Sequence, residues 1–368
     1  MVSRASIQSS AHEMVATTSA VVKSEASLPR ASNSHMKVLL APAVVCAAMV
    51  AIAAVTCTLA QVEVGHLFYP YFSMSLAVTI TALLISVFCW VFAMARDRTD
   101  DPIRKVVARI RSRAFLLALP LAILPLFLVS YTAAKTAIPF LVGFGWDGFW
   151  TDADRLLFGD DAWRISLRWL GTSWMPIYAW FYTAMWGFAF VGVSTFIAIN
   201  AKPSLVALFY TAMLLTWTIG GWLMALTFSS AGPIFTHLFD PDLGRHFSGL
   251  REAIAANLPA DNSLRLTQAY LAESINSRVA VKGGGISAMP SMHLGAASIY
   301  IFAARKTKWL VPAVLFWLVI FVLSGYLGYH YWVDGLVAAV VAWVSWRVSD
   351  VYFHRRRERQ PELLFALP

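Results

Sequence analysis

The sequence predicts an all-α fold, a polytopic membrane helical bundle of about eight transmembrane helices. Three observations carry that expectation. The 368 residues are 59% hydrophobic and only 13% charged, with a mean hydropathy of +0.64, whereas a soluble domain lies nearer half apolar and a quarter charged. Apolar runs long enough, or nearly so, to cross about 30 Å of hydrocarbon recur along the chain, and a crossing takes about 20 residues. Lys and Arg gather in alternate connections between those runs, as the positive-inside bias requires.

Residues 1–37 are rich in Ser and Ala and have no apolar core, which predicts a disordered tail. The first apolar run begins near Leu39, too late for a secretory signal, so it reads as a retained anchor. Runs follow at 39–60, 70–95, 115–139, 175–199, 204–228, 287–304, 309–327 and 330–346. The sixth and eighth are short for a full crossing. They suit helices whose first turn starts below the membrane surface, beside a polar cavity.

The tail, the 96–113 connection, Lys202, the 305–308 connection and the C-terminal tail hold most of the 29 Lys and Arg. These segments are expected in the cytoplasm, with both termini, and the formal charge of +9 is accounted for by topology. No basic stripe interleaved with exposed aromatics is present, so nucleic acid is not an expected partner. The other face receives the 147–171 segment, the long 229–286 connection and the turn at His330. The 147–171 segment carries Trp146, Trp150, Trp163 and Trp169 among Asp and Arg at its borders and within it, and reads as an anchor in the outer interface. Ser229, Ser230, Gly232 and Pro233 stop the fifth run. Cys46, Cys57 and Cys89 all fall in apolar runs and form no disulfide framework or metal-ligand pattern.

Two stretches carry chemistry. One runs from Gly283 through Met289, Pro290, Ser291 and Met292 to His293 and opens the sixth span; the other runs from Ser324 to Asp334 and joins the seventh to the eighth. The sixth span runs inward and the seventh returns outward, so His293 and His330 reach one face although 37 positions separate them. His330 and Asp334 are four residues apart, a spacing that shares one helix face. Ionisable groups inside a membrane segment mark function. A neutral imidazole can attack a phosphate ester and split one hard step into two easier ones. That requires one ring nitrogen free and the other fixed as a donor, and Asp334 is placed to accept that proton. His293 is then the general acid and base. Pro290 near a helix start leaves N–H groups for a phosphate, and Lys282 and Ser291 add donors.

Gly283, Gly284 and Gly285 are followed by no Gly-Lys-Ser/Thr and read as a hinge rather than a nucleotide loop. His237 and His246 read as surface histidines of the long connection. His293, His330 and Asp334 could in principle ligate zinc, but no His-Glu-x-x-His is present, and neither a metal nor another cofactor is expected.

Met289-Pro290-Ser291-Met292-His293, together with Tyr329-His330-Tyr331-Trp332-Val333-Asp334, resembles the type 2 phosphatidic acid phosphatase superfamily, and within it the branch containing fungal inositol phosphorylceramide synthase. The resemblance implies a six-helix catalytic bundle over 114–347, preceded by two accessory spans and a basic loop over 38–113 and followed by a basic tail over 348–368. It implies metal-independent transfer through a phosphohistidine, with His330 as nucleophile, Asp334 as its partner and His293 as the second catalytic histidine. The superfamily's first motif, Lys-x₆-Arg-Pro, is absent, and Lys135, with Pro139 after it, is the residue left to stand for it. Ser324 stands where the third motif carries an arginine.

The expected activity is lipid phosphotransfer or phosphatase action on the extracytoplasmic face, with a membrane lipid phosphate as substrate and a lipid or other alcohol as acceptor. Simple hydrolysis is the alternative. A proton- or ion-conducting transporter would need interrupted helices paired near the bilayer centre, and the histidines here lie near one surface instead.

Overall fold

The structure is a computed structural model that describes residues 29–359, with side chains from 38 to 355. The expectations for residues 1–28 and 360–368 lie outside the described residues. Helix α1 spans Pro29–Ala60, so residues 29–37, assigned to the tail by composition, continue the first span as helix. Proline is pre-set for a first helical position, and extension of a helix already nucleated needs little further ordering.

α2 (Phe68–Arg96) follows. α3 (Pro102–Val142) begins with a basic α-helical stretch, Pro102–Arg113, where the sequence suggested a loop. Asp101 before Pro102 is a helix-start signal that accounts for the difference. Two short amphipathic helices come next, α4 (Asp147–Phe158) and α5 (Ala162–Leu170), then α6 (Met175–Asn200) and α7 (Pro203–Thr227). The long connection contains α8 (Pro241–His246), α9 (Ser248–Asn257) and α10 (Ser263–Ser277). The chain closes with α11 (Met292–Ala304), α12 (Leu310–Tyr326) and α13 (Trp332–Arg359). α13 carries straight on through the stretch expected as a basic tail as far as Arg359.

Among the described residues, α1, α2, α3, α6, α7 and α13 are long and apolar enough to cross a membrane, and α11 and α12 are shorter apolar helices. The protein is an all-α integral membrane bundle, as predicted. α1 packs against α3 and α7, α2 lies along α6, and α11 is enclosed by α7, α12 and α13. Alanines at the crossings of α3, Ala133, Ala134 and Ala137, are fully buried, and small side chains of this kind let membrane helices approach closely. Gly221 takes this furthest: a Cβ there would lie 2.6 Å from the Tyr131 ring. It falls in a π-helical turn, Ile219–Met224, and α6 contains another at Phe181–Met185. Such turns often mark functional regions.

The connections meet at one end of the bundle. Glu63, between α1 and α2, forms a parallel bridge with Val279. Gly145 and Trp146 donate to the Ser229 carbonyl, and Ile234 donates to that of Gly328. This end of the bundle holds the candidate site.

Candidate active site

The turn after α12 is closed by local backbone bonds. Tyr329 N–H and His330 N–H both donate to the Ser324 carbonyl, at 3.1 and 3.3 Å. α13 begins only at Trp332, so His330 lies in the turn and Asp334 in the first turn of the helix. The two do not share one helical face, which corrects the expectation from spacing. The reason is the turn that Gly328 opens at φ +69, a conformation that favours glycine.

Burial and hydrogen bonding define His330. The residue is 5% exposed, and its Nδ1 lies 2.7 Å from the Ala288 carbonyl and 3.5 Å from Asp334 Oδ2. A carbonyl oxygen can only accept, so Nδ1 carries the proton and Nε2 keeps its lone pair. The tautomer that the sequence reading assigned to Asp334 is thus fixed chiefly by a backbone carbonyl. Asp334 is fully buried; its Oδ2 accepts the Tyr331 N–H at 3.0 Å, and Oδ1 has no hydrogen-bond partner among the described residues. The Asp334 carbonyl accepts Ser291 N–H at 3.2 Å, joining the two motif stretches through their backbones.

His293 stands in the first turn of α11. Its ring is stacked on Tyr182, 4.8 Å centre to centre, and tilted against Trp186 at 4.1 Å, and the His330 ring centre is 5.6 Å away. Tyr182 belongs to the π-helical turn of α6, and the extra residue of that turn accompanies the stacking. The first-turn N–H groups of α11 have no side-chain cap.

Both histidines line a cavity of about 530 Å³, together with Lys135, Lys282, Tyr131 and Tyr182. Lys135 projects from α3 and makes no hydrogen bond or ion pair among the described residues. Lys282 is exposed at the rim. Ser291, expected to add a donor, is fully buried, its hydroxyl lacks a hydrogen-bond partner among the described residues, and it is not on the cavity wall, whereas Ser287 is. The glycine run is defined by close approach: a Cβ on Gly285, whose φ is +81, would lie 2.9 Å from the Thr136 nitrogen. His237 bonds to the Ile234 carbonyl and His246 pairs with Asp161, and neither lines this cavity. Among the described residues no three His, Cys, Asp or Glu side chains converge as a metal site would need.

The segment expected as an interfacial anchor also braces the site. Trp150 and Trp163 are buried, although Trp146 and Trp169 are exposed. Asp147, 6% exposed, accepts from Ser230 Oγ at 2.7 Å, from the N–H groups of Ala231 and Gly232 at 2.8 and 2.9 Å, and from the Tyr331 hydroxyl at 3.1 Å. Asp154, two turns on, accepts the Val333 N–H at 2.9 Å. Burial chiefly, with the nearby Asp334 adding to it and backbone bonds opposing it, raises the Asp154 carboxyl from the usual 3.8 to about 7. The sequence offered a signal for this brace: Asp147, Trp150, Thr151 and Asp154 fall on one side of a helix at 3–4 spacing and are all buried.

The family model of the PAP2 superfamily matches residues 150–348. The chain belongs to the PAP2 superfamily. No curated protein and no solved structure matches it. Membership in the PAP2 superfamily supports an enzyme of lipid phosphatase type. The matched stretch contains His293, His330, Asp334 and Asp154, while Lys135 and Asp147 precede it.

Proposed function

We propose that this PAP2 superfamily protein cleaves a lipid phosphate ester through a phosphohistidine at His330 and passes the phosphoryl or phospho-head group to an alcohol acceptor. The observation that carries the proposal is the Nδ1 bond of His330 to Ala288, which leaves Nε2 free on a ring that lines a cavity shared with His293.

Nε2 forms a bond to phosphorus as the bond from phosphorus to the lipid oxygen breaks. The departing oxygen takes its proton from protonated His293. The acceptor hydroxyl then loses its proton to His293, and its oxygen displaces His330 from phosphorus, restoring both rings. While the ring is phosphorylated and positive, the Ala288 carbonyl and Asp334 face its Nδ1 side. Lys135 meets the non-bridging oxygens inside the cavity, Lys282 meets them on entry, and the uncapped N–H groups of α11 add donors. Phosphoryl transfer relies on this kind of fixed charge complementarity.

The reaction is assigned to the extracytoplasmic face, because the connections at the opposite end hold most of the Lys and Arg. Hydrolysis uses the same intermediate with water as acceptor. Purified protein incubated with a labelled lipid phosphate, with and without an added alcohol, separates the two. Label on the alcohol is expected; free phosphate alone in both arms would replace transfer with hydrolysis. His330→Ala is expected to remove both turnover and the acid-labile phosphoprotein, and full turnover in that variant would overturn the mechanism.

A further inference from the structure

Part of the cavity wall comes from the second span, α2, which precedes the matched stretch. Tyr71, in the first turn of α2, is 6% exposed and lines the cavity. Its hydroxyl accepts the Gly283 N–H at 2.8 Å and lies 2.7 Å from the Thr132 hydroxyl of α3. Gly283 follows Lys282, so this bond fixes the peptide that carries the rim ammonium.

The neighbouring backbone is held from two more sides. Before Lys282, the α1–α2 connection pairs with the chain: Glu63 N–H donates to the Arg278 carbonyl at 2.9 Å and Ala280 N–H to the Glu63 carbonyl at 2.8 Å. Arg278 also donates to the Ala60 carbonyl at 2.8 Å. After Lys282, Gly284 N–H closes a turn on the Val281 carbonyl at 2.7 Å, and Gly285 lies directly against the Lys135 backbone. Between these fixed flanks the Gly283 amide is tied by one side chain, that of Tyr71.

We propose that Tyr71 is a positioning residue of the substrate site: its hydroxyl holds the Lys282–Gly283 peptide so that the Lys282 ammonium stands at the cavity mouth, one cation ahead of Lys135, to receive an anionic lipid head group. The statement about substrate rests on the proposed function; the statement about the loop does not. The chemistry recognised is a phosphate group on a membrane lipid. Lys282 acts on the ground state at the mouth, away from the His330 ring, so its placement governs KM more than kcat.

The Lys282–Gly283 bond is itself a trypsin site, which makes the loop measurable apart from activity. The full-length protein in detergent, digested under native conditions, is expected to be cut after Lys282 about fivefold faster in Tyr71→Phe than in wild type, which matches the loss of one ordinary hydrogen bond. Thr132→Val removes the other partner of the hydroxyl and spares the Gly283 bond, and it is expected to leave that cleavage rate unchanged. With a lipid phosphate, Tyr71→Phe is expected to raise KM about fivefold with kcat within about twofold of wild type. Lys282→Gln is expected to raise KM by a similar factor, and the double variant no further, since both changes remove one contribution.

An unchanged cleavage rate in Tyr71→Phe would overturn the proposal. So would equal acceleration in Thr132→Val, which would assign the effect to packing, or KM effects that multiply in the double variant. Accelerated cleavage in Tyr71→Phe, beside a wild-type protein that turns over no lipid phosphate, would retain the loop assignment and remove the proposed function.

Discussion

The Nδ1 of His330 donates to the Ala288 carbonyl at 2.7 Å, while the carboxylate of Asp334 stands off at 3.5 Å. The two contacts divide a task that one carboxylate performs in many histidine sites. In the proposed reaction the carbonyl fixes the tautomer and the ring plane, and Asp334 backs the ring from the same side.

That division makes Asp334→Asn a partial lesion. Where a carboxylate is the sole anchor of the tautomer, its amide variant costs about 10⁴ in kcat. Here the Ala288 contact survives, so a loss of about 10- to 100-fold is expected, read as kcat with a lipid phosphate. A rate equal to wild type would remove Asp334 from the mechanism.

His293→Gln removes a proton carrier and leaves the nucleophile. A loss of about 10²–10⁴ in kcat is expected with a lipid alcohol as leaving group. An aryl phosphate, whose leaving oxygen needs no proton, is expected to lose much less in the first half-reaction. Equal losses with both substrates would contradict the general-acid role.

Asp147→Asn tests the brace. One carboxylate serves four donors, and an amide offers a single acceptor oxygen. Destabilisation of about 2–4 kcal/mol is expected, because buried donors are left without a charged partner. Thermal unfolding in detergent measures it, and a shift within error would mean that solvent replaces the lost acceptor.

Asp154 gives the stability a pH dependence of known sign. Its folded value, about 7, is above the ordinary 3.8, so the folded state holds this proton more tightly than the unfolded chain does. The contribution is complete below about pH 4, declines by about 1.4 kcal/mol per unit, and is gone above about pH 7. Asp154→Asn keeps an oxygen for the Val333 N–H and cannot ionise. Its unfolding midpoint is expected to vary less between pH 5 and 8 than that of wild type; parallel curves would exclude Asp154 as the source.

The spans were legible because an apolar run needs no partner to be recognised, and the two histidines because ionisable groups are costly in hydrocarbon. The bracing role of Trp150 and Asp147 was missed for a related reason. Aromatic and acidic side chains at a membrane border suit both an interfacial anchor and a buried brace, and only tertiary contacts separate the two. The role of Ala288 was out of reach from sequence, since its contribution is a backbone carbonyl that any residue would offer. Ser291 was overread: its position before α11 suits a donor, but the backbone bond to Asp334 turns that peptide into the core. The ends of α1 and α13 were drawn too short, because composition marks where the lipid stops rather than where the helix does.

The matched stretch begins at residue 150, and Lys135 and Tyr71 lie before it. On the proposed mechanism, the matched stretch is consequently not portable by itself. A chimaera that transplanted 150–348 onto foreign leading helices would inherit both imidazoles and Lys282 and forfeit the Lys135 ammonium, Tyr71 and one flank of the chamber. Successful exchange between relatives would have to take the junction upstream of α1, so that donor chemistry and its enclosure travel as one piece.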